Sequence, residues 1–293
     1  MSAYVVAGAT GRVGSVVARE LLARGKRTTV IVRDDASGTR WQGMGAEAVK
    51  GSLDDRSFLT TLLRGADGFF TLLPENVPPP GFHAPRERMA DAIAAAVTGS
   101  GVPHVVMLSA IAASVPDGNG PARTLHQLER RLSDSGTALT RLRPCYYQDN
   151  IAGMLAPATA QGIYPSFLPA DVALPMVATR DVGRIAAAAL ADDPPANEIV
   201  DVLGPAYSAR QLAAALSSAL RRLLNVVEVP PPAHVKALTG TGMPLEMAEA
   251  VAEMMASFAA GRITPCGHRR IVGTTPIDDV IAGILRPDEA AGL

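Results

Sequence analysis

Glycines at 8, 11 and 14 open the chain, in the run Gly8-Ala-Thr-Gly-Arg-Val-Gly14. Ahead of them Tyr4-Val-Val-Ala7 is apolar, and behind them Val13, Val16, Val17, Leu21 and Leu22 recur at helical spacing. Strand, glycine turn and helix in this order make a cradle for the pyrophosphate of a dinucleotide. Gly8 permits the tight turn, Gly11 the close approach of a phosphate, and Gly14 the close packing of helix on strand. Free N–H groups at the helix N-terminus then point at the anion. Thr10, Arg12 and Val13 complete the turn, with Arg12 offering a positive group near the phosphates. A strand–helix turn without a ligand is the alternative.

Thr28-Thr-Val-Ile-Val32 reads as the second strand, and Arg33 and Asp34 stand at its end. In such a site this position lies beside the adenine ribose. An acid there favours the free 2′-hydroxyl of NAD, whereas an arginine favours the 2′-phosphate of NADP. Arg33 comes first, so NADP is favoured; the opposing reading gives the ribose to Asp34. After the third strand, Ala46–Lys50, Asp54 reads as the N-cap of a helix or as a cofactor contact.

A carbonyl reductase needs a proton donor beside the oxygen as hydride arrives at carbon. Ser109, at the end of the strand His104–Leu108, is placed for the serine of the usual serine–tyrosine–lysine set. Between Ser109 and Pro144 the chain has neither tyrosine nor lysine. The remaining candidate donors are His126, on a helix from about Pro121 to Ser133, and Tyr146 or Tyr147. His126 is equally read as a plain surface histidine, and Cys145 as a buried, inert thiol. Glu129 and Arg130 are read onto the surface of the same helix. The histidines show no metal-ligand spacing, so no metal is expected.

These groups need a sheet to carry them. Gly68–Leu73 is apolar enough for a strand buried on both faces, and Pro74–Gly81, with three consecutive prolines, leaves its carboxyl edge as a wall for the nicotinamide pocket. A helix follows to about Val97, then the strand ending at Ser109, a loose loop Ala110–Gly120, and a sixth strand Ala138–Leu142. Prolines at 157, 165, 169 and 175 mark a departure into a second lobe. Leu174–Ala178 and Glu198–Leu203 read as further strands. Asp181 and Ser208 read as helix caps, over helices to Leu190 and Leu220. Met247, Val251, Met254, Met255 and Phe258 form one stripe of a helix over Pro244–Ala260, read as lobe core, with a substrate wall as the alternative. The expected fold is α/β: a doubly wound, mostly parallel Rossmann sheet with a small α/β C-terminal lobe. Residues 1–150 would form the nucleotide domain, completed by about 176–204. Residues 151–175 and 205–293 would form the lobe.

The chain has 293 residues, 48% of them hydrophobic, and a net charge of -1. That balance argues against nucleic acid or an anionic membrane as partner. Two cysteines, Cys145 and Cys266, argue against a disulfide scaffold. With no signal-peptide pattern and no apolar run long enough to span a bilayer, a soluble cytoplasmic protein is expected.

The sequence resembles the NmrA-like family, an atypical branch of the short-chain dehydrogenase/reductase superfamily. Gly8–Gly14, Val32-Arg33, Val105–Ser109, Ser133–Gly136, Thr140–Asn150 and Pro175–Val182 carry the resemblance. It implies an extended Rossmann domain with NADP(H) in the cleft. The glycines and Arg33 would be cofactor contacts. Thr71, Leu72, Leu73, Ser109 and the turn Pro144, Cys145, Tyr146 and Tyr147 would surround the nicotinamide. Asn150 and Asp181 would be structural polar residues. Many members carry a lysine on the helix that here holds Thr124 and His126. The first functional reading is an NADPH-dependent reductase that passes hydride to a small apolar acceptor: a quinone, enone or iminium. A nucleotide-sensing regulator acting through a protein partner without turnover is the second, and a silent, oligomer-forming relative, such as a homodimer, the third.

Overall fold

A computed structural model describes residues 2–75 and 81–286. The large sheet is built from β1 (Ala3–Val6), β2 (Arg27–Val32), β3 (Glu47–Lys50), β4 (Gly68–Thr71), β5 (His104–Leu108) and β6 (Ala138–Pro144). Two later strands complete it. With the small strands β7 (Tyr146–Tyr147), β8 (Ile163–Ser166) and β9 (Leu174–Val177) in between, these are β10 (Glu198–Leu203) and, after β11 (Ala206–Tyr207) and β12 (Asn225–Glu228), β13 (Arg269–Val272). The order is β13-β10-β6-β5-β4-β1-β2-β3, and all neighbours run parallel.

The apolar strands alternate between two cores, as a sheet covered on both faces requires. Val6, Phe70 and Val106 face one core; Val5, Phe69, Val105 and Met107 face the other. The first face is covered by α1 (Arg12–Ala23) and, later in the chain, a helix at Thr179–Ala191, with α2 (Asp35–Gly43) at its edge. The second is covered by α3 (Arg56–Leu63), α4 (His83–Ser100) and α5 (Arg123–Ser133). The chain winds outward from β1 to β3, then restarts at β4 on the other side of β1. That reversal opens a crevice at the carboxyl ends of β1 and β4.

A third core lies away from the large sheet. It gathers Ile151, Tyr164, Met176, Leu212, Leu216, Ile277, Val280 and Ile281. The elements around it are α6 (Leu155–Gln161), the small sheets β11-β9-β7 and β12-β8, α8 (Ala209–Leu220) and α11 (Ile277–Leu285). The Thr179–Ala191 helix is α7; α9 (His234–Gly240) and α10 (Leu245–Ala259) complete the set. No helix among the described residues is long and apolar enough to cross a membrane.

Several local readings are corrected. Asp55, not Asp54, caps α3, accepting from the Phe58 N–H at 2.9 Å. Ala178, not Asp181, is the N-cap of α7; the buried Asp181 carboxylate instead accepts from the Thr275 N–H and Oγ1, both at 2.9 Å. Ser208 does cap α8, in a capping box with Gln211. Residues 269–272 leave the third core and pair with β10 at the edge of the large sheet. The loop 110–120 is packed: Ile111, Ala112 and Ala113 are buried, and Met254 and Phe258 of α10 lie against them. The methionine stripe therefore covers this loop, and none of its residues lines the crevice. The proline run 78–80 lies outside the described residues.

Candidate active site

The crevice has a volume of about 690 Å³ and runs from the first glycine turn, past Arg33, to the ends of β4 and β5. Gly8, Thr10, Gly11, Arg12, Val13 and Gly14 form one end. Gly8 has φ 67°, and a Cβ there would come within 2.6 Å of Leu72. A Cβ on Gly14 would sit 2.3 Å from the Gly8 carbonyl oxygen, so only glycine lets α1 approach β1 this closely. The first α1 bond runs from the Ser15 N–H to the Gly11 carbonyl at 3.1 Å. The N–H groups of Arg12, Val13 and Gly14 precede that ladder and are left for a ligand. No acid lies in the first turn of α1. The cradle thus fits a pyrophosphate: backbone donors, a favourable helix dipole and the Arg12 charge.

Arg33 lies on the crevice, and its side chain makes no hydrogen bond or ion pair among the described residues. Asp34 is engaged elsewhere. Its carboxylate caps α2, accepting from the Ser37 N–H at 2.8 Å and the Ser37 hydroxyl at 3.0 Å. Those bonds hold its pKa below the usual carboxylate value. Gly51, Ser52 and Leu53 line the adjoining wall, whereas exposed Asp54 does not.

At the other end stand Leu72, Leu73, Pro74, Glu75, Arg86, Met89, Leu108, Ser109, Ala110, Leu125, Tyr147, Asn150 and Thr179. Ser109 is buried, and its hydroxyl donates to Glu129 at 2.5 Å. Glu129 is itself buried, not on the surface of α5, and forms a two-point pair with Arg143 at 2.5 and 2.9 Å. Ser109 therefore offers the crevice its lone pairs while its proton is committed. His126 lies off the crevice, its Nδ1 2.8 Å from the Ala113 carbonyl, where it fastens the packed loop.

Tyr146 and Tyr147 point to opposite sides of β7, as strand alternation demands. Tyr146 packs into the third core, with its hydroxyl at the Asn150 side chain, while Tyr147 lines the crevice. Burial pushes the Tyr147 hydroxyl well above its ordinary range and keeps it neutral. Thr71, Pro144 and Cys145 lie behind the wall; Thr71 and Cys145 are buried, and burial pushes the Cys145 thiol up to about 12. Among the described residues no cluster of histidine, cysteine or acid could hold a metal ion.

Arg86, Glu129 and Arg143 escaped the sequence reading. Arg86 and Glu129 sit in helices whose charged residues mostly face water, and only the apolar residues three and four positions away mark their inward face. Arg143 shares β6 with Arg141, and the signal available is that it falls at the strand's carboxyl end, next to Pro144, where ligands bind.

A doubly wound parallel sheet with a glycine cradle at its switch point defines a dinucleotide-binding protein of the Rossmann class. The NmrA-like family pattern matches residues 2–281, and the chain belongs to that family. It is 32% identical over 227 residues to a (4-alkanoyl-5-oxo-2,5-dihydrofuran-3-yl)methyl phosphate reductase of Streptomyces griseus, covering 77% of this chain and 76% of that one. It is 29% identical over 257 residues to an NAD(P)H azoreductase of Xenophilus azovorans, covering 86% of each. Its fold is similar to that of the Citrobacter sp. triphenylmethane reductase complexed with NADP(H), with a TM-score of 0.78 at 19% identity over 97% of this chain and all of that one.

Proposed function

We propose that this chain is an NADPH-dependent reductase that delivers hydride to a small, apolar, conjugated acceptor. The observation that carries the cofactor choice is the division of labour at the end of β2: Asp34 is spent on capping α2, and Arg33 is left on the crevice for a 2′-phosphate. When bound, NADPH supplies the hydride. The backbone of Arg12 to Gly14 would hold its pyrophosphate. Leu72, Leu73 and Tyr147 would wall the nicotinamide, and Met89, Ala110 and Leu125 would take an apolar substrate. Azo, dihydrofuranone and triarylmethane acceptors in the names of the similar proteins support this substrate class. Such acceptors are reducible without a strong general acid, which suits a crevice whose serine proton is tied to Glu129. The regions 151–175 and 205–293, apart from the sheet strand 269–272, are read as the second lobe, beside the crevice rather than lining it. Two unpaired thiols support a cytoplasmic setting.

The test is NADPH consumption with a panel of quinones, enones, azo dyes and triarylmethane dyes. Turnover with NADPH well above that with NADH is expected. Tight NADPH binding with no turnover on any acceptor would replace this reading with that of a nucleotide sensor, which the committed Ser109 proton also suits.

A further inference from the structure

Among the described residues Arg86 is the one cation at the substrate end of the crevice, and it is 1% exposed. A guanidinium carries five N–H donors. Three go to neutral acceptors: Nε to the Thr124 hydroxyl at 2.9 Å, and the terminal nitrogens to the Pro74 carbonyl at 3.1 Å and the Pro121 carbonyl at 3.5 Å. Its plane also lies 4.6 Å from the centre of the Phe82 ring. Two donors have no partner among the described residues, and no carboxylate forms an ion pair with it there; residues 76–80 contain no acid. Glu75 is exposed at the rim and acts on it only at longer range. Desolvation lowers its pKa to about 10, which still leaves it charged at neutral pH. A buried arginine without a counter-ion is costly unless something completes it. The Glu129–Arg143 pair nearby shows the ordinary alternative, a buried arginine fully matched by its acid.

We propose that Arg86 is the catalytic electrophile of this site: its free N–H donors bind the acceptor oxygen on which negative charge collects as hydride adds. The inference rests on the reductase reading above. The acceptor gains a C–H bond; the C–H bond broken is that of the dihydronicotinamide, which ends oxidised. The displaced π pair moves through the conjugated system to the oxygen, giving an enolate or phenolate, which then takes a proton from water. A fixed cation in a water-poor wall is worth most for charge that appears during the reaction. Tyr147 reaches the same space only as a neutral donor. The substrates selected are neutral or anionic conjugated carbonyl compounds. A cationic dye meets a like charge when it binds and develops no anion when it is reduced.

The experiment compares wild type, Arg86→Gln and Arg86→Lys with NADPH and two acceptors: menadione, which becomes an anion on hydride addition, and crystal violet, a cation that becomes neutral. Affinity for NADPH and the melting temperature are measured alongside. Calorimetry of the NADP⁺-loaded protein with lawsone, an anion at neutral pH, supplies a readout apart from turnover. For Arg86→Gln, kcat with menadione is expected to fall about 100-fold, with crystal violet reduction unchanged or faster, NADPH affinity retained and lawsone binding lost; Arg86→Lys recovers part of each. Parallel loss with both acceptors, or unchanged lawsone binding, overturns the proposal and leaves Arg86 as a brace for Pro74 and Pro121. If the variants fail to fold, wild type still decides: tighter binding of lawsone than of menadione sustains the site, and no preference overturns it. If wild type reduces neither acceptor yet binds lawsone through Arg86, the reductase reading and the electrophile role fail and only an anion site remains.

Discussion

Arg33 and Asp34 are neighbours of opposite charge; Asp34 caps α2, while Arg33 lines the crevice. Charge-assisted bonds of the kind Arg33 would make to a phosphate contribute about 1.5–3 kcal/mol each. Arg33→Ala is therefore expected to weaken NADPH about ten- to a hundredfold and to leave NADH affinity nearly unchanged, measured by titration calorimetry. An unchanged ratio of the two would remove Arg33 from the cofactor site. At Gly14 the constraint is steric. A Cβ would lie 2.3 Å from the Gly8 carbonyl oxygen and 2.6 Å from its carbon, backbone atoms that cannot swing aside. Gly14→Ala should cost about 1–3 kcal/mol of stability and abolish measurable NADPH binding, whereas the same change at Gly43, where a Cβ meets nothing within 4 Å, should do neither.

Between elements, the Glu129–Arg143 pair ties α5 to β6 beneath the crevice, with Ser109 of the neighbouring segment as third member. Removing one partner strands a buried charge, at a cost of about 3–5 kcal/mol. Glu129→Ala should lose that much in denaturant unfolding, and the double variant Glu129→Met, Arg143→Met distinctly less. A double variant as unstable as the single would refute this account of the pair. A second tie joins α10 to α4. Glu246 accepts from the Phe82 and His83 N–H groups at 2.5 and 3.2 Å, which caps α4 from across the fold and lowers the Glu246 pKa. A depressed carboxylate contributes stability above its unfolded value of 4.5 and loses it as pH falls through the folded one. Wild type should therefore melt higher than Glu246→Gln at neutral pH, and the two curves should converge well below 4.5. A gap that persists in acid would mean that the charge is not what matters.

For the whole molecule, the C-terminal stretch closes two structures at once. β13 covers the β10 edge of the large sheet, and α11 places Ile277, Val280 and Ile281 in the third core. Burying each such side chain contributes about 1.5–3 kcal/mol, so the three together rival the about 5–15 kcal/mol net stability of a domain. A chain ending at Gly261 is expected to show no cooperative thermal transition by circular dichroism. A normal melt would show these contacts to be dispensable. The third core and the large sheet are thus both completed by one segment, although 205–293 reads from sequence as lobe alone. β13, Arg-Arg-Ile-Val, has no alternation or apolar run to announce a sheet strand, because an edge strand needs only one good neighbour.

What the sequence determined by itself was whatever depends on near neighbours in the chain. The glycine turn, the apolar strands of the two-faced sheet, Arg33 at a strand end and the Ser208 capping box all follow from local sterics, periodicity and reach. Tertiary structure alone decided which of two adjacent tyrosines faces the crevice, that the Ser109 hydroxyl donates its hydrogen bond to Glu129, and that Arg86 lies buried with no acid paired to it among the described residues. The last two turn on partners brought up by folding, at separations of 20 residues for Ser109–Glu129 and 38 for Arg86–Thr124. A side chain's chemistry is set by its burial and its partners, and the order of residues does not encode either locally.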